Sequence, residues 1–134
     1  MLHGIINFLK KLNDCRPKQN IAQLRLVGDK RLPDIIPLTL GERPFYIGRY
    51  DISKGYKQCD YEFGQDTRAV SRRHAAFERF SYGYAVVDLN SRAGTFVNGT
   101  RINPGEQFRI KQGDRISFGN AGADYIFKVE EGRQ

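Results

Sequence analysis

The feature that most constrains this chain is a period of two in its apolar residues. From Ile21 onward, apolar side chains alternate with polar ones in short runs, and turn residues cut every run short. Gln23-Leu24-Arg25-Leu26-Val27 alternates, as does Ile36-Pro37-Leu38-Thr39-Leu40, where Pro37 lacks a ladder N–H and implies an edge or a strand start. Phe45 to Gly48, Tyr61 to Phe63, Ala75 to Phe80 and Tyr84 to Leu89 follow. Thr95 to Val97, Gln107 to Ile110, Arg115 to Phe118 and Tyr125 to Val129 complete the set. Tyr82-Gly83, Asn98-Gly99, Asn103-Pro104-Gly105, Gly113-Asp114 and Gly119-Asn120 are turn signals between them. About ten short strands with no helix between them can bury their apolar faces only by stacking sheets, which predicts an all-β sandwich. The inward positions are expected to include Leu24, Leu26, Leu38, Leu40, Ile47, Phe77, Ala85, Val87, Leu89, Ile116, Phe118 and Phe127.

The chain has 134 residues, enough for one core of ordinary size and little more. Three segments are expected: an N-terminal amphipathic basic segment 1–20, one domain 21–130 and a tail 131–134. In the first, Leu2, Ile5, Leu9 and Leu12 fall at helical spacing among Lys10, Lys11, Arg16 and Lys18, and Arg16-Pro17 should end a short helix. That helix could dock on the domain, meet a partner or membrane surface, or fray. No apolar run approaches the ~20 residues of a membrane helix. Two cysteines, Cys15 and Cys59, are too few for a metal site of the Cys-x-x-Cys type or a disulfide framework, and fit free thiols in the cytoplasm. The net charge of +7 favours an anionic partner without choosing among nucleic acid, an acidic membrane and a phosphoprotein.

In a sandwich the loops gather at the two ends, and function concentrates there. Three loops carry unusual polar content: the one after Gly48-Arg49, Thr67 to His74, and Asn90 to Gly94. Gly48-Arg49, Ser71-Arg72-Arg73-His74-Ala75, Asp88-Leu89-Asn90-Ser91, Gly94-Thr95-Phe96-Val97-Asn98-Gly99 and Gly113 to Gly119 resemble, in order, the successive signature blocks of the forkhead-associated (FHA) family. The resemblance covers roughly Leu24 to Val129. It implies an eleven-stranded β-sandwich of the SMAD/FHA type with a phosphothreonine-binding loop surface at one end, and no cofactor or metal.

The resemblance places Arg49 and Ser71 on the phosphate, with Arg72 beside them. The chemistry agrees. A phosphate monoester carries about −1.5 to −2 charge and three acceptor oxygens. Arg49 offers a planar fork of donors, and Ser71 one hydroxyl. The alternatives are an ion pair of Arg49 with Asp51 or Asp60, and a local turn-capping role for Ser71. Ser91, Arg92 and Ala93 form the expected peptide-contacting loop. The family often has asparagine where Ala93 stands, so one side-chain hydrogen bond to a bound peptide is missing, commonly worth ~1 kcal/mol. Gly48, His74, Gly94, Thr95, Asn98 and Gly99 are expected to support the site. His74 is read as a brace, not a catalytic base, because no motif supplies an orienting acid or an oxyanion hole. Gly55, Tyr56 and Lys57 could extend the binding face or belong to a passive loop.

The expected function is therefore a non-enzymatic adaptor module that binds a phosphothreonine-containing protein, the product of a Ser/Thr kinase. The alternative is a degenerate module of the same fold that binds an unphosphorylated partner or its own flanking segment, motivated by Ala93. A nucleic-acid or membrane binder has only the charge in its favour, since no stripe of aromatics interleaved with basic residues is present. No nucleotide loop, metal cluster or paired carboxylate marks an enzyme.

Overall fold

The computed structural model describes residues 21–130. The expected helix within 1–20, Cys15 and the tail 131–134 lie outside them. Eleven strands run in order: β1 (Ile21–Leu26), β2 (Ile35–Leu38), β3 (Phe45–Arg49), β4 (Tyr61–Phe63), β5 (Ala75–Phe80), β6 (Gly83–Asp88), β7 (Thr95–Val97), β8 (Thr100–Arg101), β9 (Gln107–Ile110), β10 (Arg115–Phe118) and β11 (Asp124–Glu130). A six-stranded sheet has the order β2-β1-β11-β10-β7-β8, and a five-stranded sheet the order β4-β3-β5-β6-β9. Pairing is antiparallel except for β3 and β4, which run parallel. Among the described residues there is no helix, so the all-β sandwich expected from the alternation is the architecture observed.

Leu24, Ile36, Ile47, Phe77, Ile116, Phe118 and Phe127 are fully excluded from solvent between the sheets. Phe118 is the hub. Its ring lies 6.0 Å from Phe63, 6.2 Å from Phe77, 6.3 Å from Tyr125 and 5.7 Å, edge-on, from His74. Such contacts add to a transfer gain of roughly 1.5–3 kcal/mol for each large side chain buried. Through Phe118 the core also fixes the ring that braces the loops above it.

Strand β6 corrects one expectation. Ala85, Val87 and Leu89 were assigned to the core, yet Phe77 pairs with Val86, and Tyr84 and Val86 face the core cluster. Ala85 is buried on the outer face of its sheet, opposite Glu78 and Arg109, and Val87 and Leu89 are half-buried. Both parities of Tyr84-Ala85-Val86-Val87 are apolar, so alternation could not choose between them, and a one-residue shift exchanges the faces. Asp88 shares the even parity with Tyr84 and Val86 despite being polar. It is buried, at 1% exposure.

Candidate functional site

Strand β3 delivers Arg49 to one end of the sandwich. Its backbone N–H donates to Ser71 O at 3.0 Å, so the strand end is stitched to the β4–β5 loop. The residue before it must be glycine for a steric reason. A Cβ at Gly48 would collide with the carbonyl oxygen of Arg72 and lie 2.7 Å from its carbon and 2.8 Å from Cys59 Sγ. The Arg49 side chain is half-buried, and its Nε donates to Val70 O at 2.8 Å. That bond sets the plane of the guanidinium, and among the described residues its two terminal nitrogens have no partner. Neither alternative ion pair forms, because Asp51 is held by Arg72 and Asp60 by Arg43.

Ser71 does not cap a local turn. Its Oγ accepts from the backbone N–H of Arg92 at 3.0 Å, across to the β6–β7 loop. An acceptor bond leaves the hydroxyl proton free to donate outward. His74 completes the bracing. Its Nδ1 accepts from Ser71 N–H at 3.0 Å, and its Nε2 donates to Gly94 O at 2.8 Å. An amide N–H on one nitrogen and a carbonyl on the other allow only the neutral Nε2–H tautomer. Burial, opposed by the Gly94 carbonyl and by Asp88, lowers the imidazole pKa below 6.5. Gly94 O also accepts from Gly119 N–H at 2.8 Å, so one carbonyl joins three segments.

Sequence reasoning assigned no role to Asp88. Its Oδ1 accepts from the hydroxyls of Ser91 at 2.5 Å and Thr95 at 2.7 Å, and its Oδ2 from Ser91 N–H at 3.1 Å. Three donors compensate a carboxylate taken out of water. Ser91 was expected to face a peptide. Instead it is 6% exposed, its Oγ also accepts from Gly94 N–H at 3.0 Å, and it shapes the loop from within. The signal was present, since serine three residues after aspartate is suited to close a turn on it. Asn90, with φ of 59°, turns the chain there.

The remaining residues fall into two groups. Asn98 and Gly99, with φ of 50° and 84°, are the two central residues of the β7–β8 turn, the pair of positive angles that a type I′ hairpin requires. Asn98 is further held by Asp114 and by Arg115 N–H. This hairpin supplies β8, the strand that the sequence pattern did not show, because two exposed residues carry no alternation. At the surface, Arg72 is exposed and paired with Asp51 at 3.1 Å. Asp51 also accepts from Ser53, and with these partners its pKa falls to about 2. Arg92 is exposed, Ala93 is half-buried, and a Cβ at Gly119 would lie 2.7 Å from Ala69 O and 3.2 Å from Ala93 Cβ. Tyr56, at 65% exposure, projects from the β3–β4 loop near Gly55 and Lys57. Among the described residues no three His, Cys, Asp or Glu are placed to hold a metal ion, and no helix is long and apolar enough to cross a membrane.

A β-sandwich that carries braced polar loops at its end belongs to the class of β-sandwich recognition modules. Within that class a family model described as FHA domain matches residues 45–119, more than half of the chain, and the chain belongs to this family. FHA domains are binding modules, and no catalytic family is indicated. The chain is 28% identical over 113 residues to an Arabidopsis thaliana PPP1R8 homolog, a protein phosphatase 1 regulatory inhibitor subunit, covering 84% of the chain and 28% of that protein. It spans between 3% and 28% of the length of the curated relatives that it matches. Among solved structures it is similar to Mycobacterium tuberculosis EmbR in complex with a low-affinity phosphopeptide, with a TM-score of 0.64 and 25% identity over 87% of this chain and 26% of that one. It also shares its fold with the N-terminal FHA domain of S. cerevisiae Rad53p in complex with a phosphothreonine peptide, with a TM-score of 0.66 and 17% identity over 82% of this chain and 94% of that one.

Proposed function

We propose that this chain binds a phosphothreonine-containing segment of a partner protein, without catalysis, as a signalling adaptor in the cytoplasm. One observation carries the reading. The Arg49 guanidinium is oriented by Val70 O with both terminal nitrogens unpartnered among the described residues, and the adjacent loop holds Ser71 with its hydroxyl proton likewise unpartnered. A guanidinium fork and a hydroxyl donor on stitched loops match the charge and the acceptor oxygens of a phosphate monoester. Arg72 adds a second cation and a backbone N–H, with Asp51 holding its side chain. Gly48, His74, Gly94, Thr95, Asn98 and Gly99 serve the loops' shape, and Arg92 and Ala93 present the surface along which a peptide would lie.

Arg49→Ala and Ser71→Ala are the test, with calorimetry against a phosphothreonine peptide. A hydrogen bond to a charged acceptor is worth roughly 1.5–3 kcal/mol. Ser71→Ala should therefore weaken binding roughly ten- to a hundredfold, and Arg49→Ala more, with circular dichroism unchanged. Unchanged affinity in both variants would refute the site. Ala93 favours one second reading, a module of this fold that binds an unphosphorylated partner or its own flanking segment. Equal affinity for a peptide with and without its phosphate would select that reading.

A further inference from the structure

At this end of the sandwich the guanidiniums of Arg92 and Arg101 have no carboxylate partner among the described residues. Arg101 on β8 pairs in register with Phe96, and its side chain runs back toward the β6–β7 loop. A Cβ at Gly94 would meet Arg101 Nε at 2.7 Å, its Cζ at 3.0 Å and its Cδ at 3.2 Å, so the Arg101 side chain packs into the space that a side chain at Gly94 would fill. Gly94, with φ of 90° and no side chain, leaves that space open. Arg101 is exposed, and no acidic side chain among the described residues pairs with it. Arg92, which offers its N–H to Ser71, is likewise exposed and has no carboxylate partner among the described residues. Arg31, Arg43, Arg72 and Arg115 each have one, but Arg68 in the neighbouring β4–β5 loop also lacks one among the described residues, so what sets Arg101 apart is its contact with Gly94. Arg92 thus precedes Ala93 in the chain and the Arg101 side chain packs beside Gly94 after it, while Ala93 itself offers no side-chain donor.

We infer that Arg101 is a specificity-determining residue that reads a second anionic side chain on the ligand, a carboxylate or a phosphate, close to the phosphothreonine. The inference rests on the phosphothreonine reading of Arg49 and Ser71. Two chain steps separate Arg92 from Gly94, at most about 7 Å, so the second anion falls within roughly three residues of the first on an extended peptide. Arg101 takes over by charge the selectivity that a side-chain donor at position 93 would supply by hydrogen bonding. Its planar fork suits either oxyanion, and its contact with Gly94 limits the rotamers it must give up on binding.

The test is a double-mutant cycle on the full chain. Phosphothreonine peptides carry alanine, glutamate or phosphoserine at each of the three positions on either side, and titrate wild type, Arg101→Ala and Arg101→Lys. At one position glutamate should raise wild-type affinity roughly three- to fivefold over alanine, as expected for an exposed ion pair. Phosphoserine should raise it further, and the ratio between the two identifies the preferred anion. Arg101→Ala should abolish the preference while leaving the all-alanine peptide bound, and Arg101→Lys should restore part of it. Retention of the preference in Arg101→Ala, or no preference at any position in wild type, overturns the inference and leaves the phosphothreonine reading intact. Equal weakening of every peptide by Arg101→Ala overturns it as well, because that marks a loop-shaping role. Failure of every phosphopeptide to bind wild type overturns both.

Discussion

His74 makes the stability of this domain depend on pH in a window that can be named. The neutral ring accepts from Ser71 N–H and donates to Gly94 O. A proton on Nδ1 would face the Ser71 N–H with no acceptor, in a site with 0% exposure. The folded-state pKa is therefore held below the ordinary 6.5, by burial above all. Unfolded chain then binds more protons than folded chain once the pH drops below about 6.5. Stability is complete above that value and falls with pH, by up to ~1.4 kcal/mol per unit, until the folded-state pKa is reached. Asp51 and Asp29, with pKa near 2, and their unfolded counterparts titrate lower, outside this window. The assay is urea unfolding followed by circular dichroism from pH 8 to pH 5. Peptide binding is a poorer readout, since the ligand phosphate itself titrates near pH 6. The comparison is His74→Asn, whose amide oxygen can still accept from Ser71 N–H but which does not titrate. It should lose ~2–3 kcal/mol at pH 8 from the missing ring and the Gly94 contact. Its pH slope between 6.5 and 5 should be flatter than that of wild type. Equal slopes, or a ring resonance titrating above pH 6.5, would refute the reasoning.

Three further outcomes are expected. Gly48→Ala drives a methyl into the Arg72 carbonyl and toward Cys59 Sγ, so it should cost more than ~3 kcal/mol and lower Tm by over 10 °C; a shift of a few degrees in thermal unfolding would contradict the packing described. Asp88→Asn replaces an acceptor of three donors with an amide that can accept at only one end. It should cost ~1–3 kcal/mol in chemical denaturation and loosen the β6–β7 loop, seen as faster amide exchange at Ser91 and Gly94; unaltered exchange would count against the network. Gly99→Ala meets no neighbouring atom, so only the positive φ opposes it. A loss of ~1 kcal/mol in chemical denaturation is expected, and a loss above 3 kcal/mol would show that space, not conformation, is limiting.

Strand alternation and turn chemistry were enough to specify an all-β sandwich, because a two-residue period has only one way to bury its apolar half. Most core positions followed from the same rule: Leu24, Leu38, Ile47, Phe77, Ile116, Phe118 and Phe127 are all buried. Asn98-Gly99 announced its hairpin, since few other pairs tolerate two positive φ angles. The polar content of three loops marked this region, and the resemblance to the FHA family singled out Arg49, Ser71 and His74 within it. Other properties lay beyond local sequence. The facing of β6 was undecidable where both parities are apolar, and it was set by pairing with β5. Ser91 turned inward, and Asp88 became a buried hub, through bonds between residues of one tight loop. The pairing of Asp51 with Arg72, the Val70 carbonyl that orients Arg49 and the resting place of Arg101 against Gly94 depend on residues distant in sequence meeting at one end of the sandwich. Periodicity determines which face of a strand is wet. Only the assembled sheets decide which side chains remain unpaired at their rim, because that depends on neighbours the chain meets after it has folded.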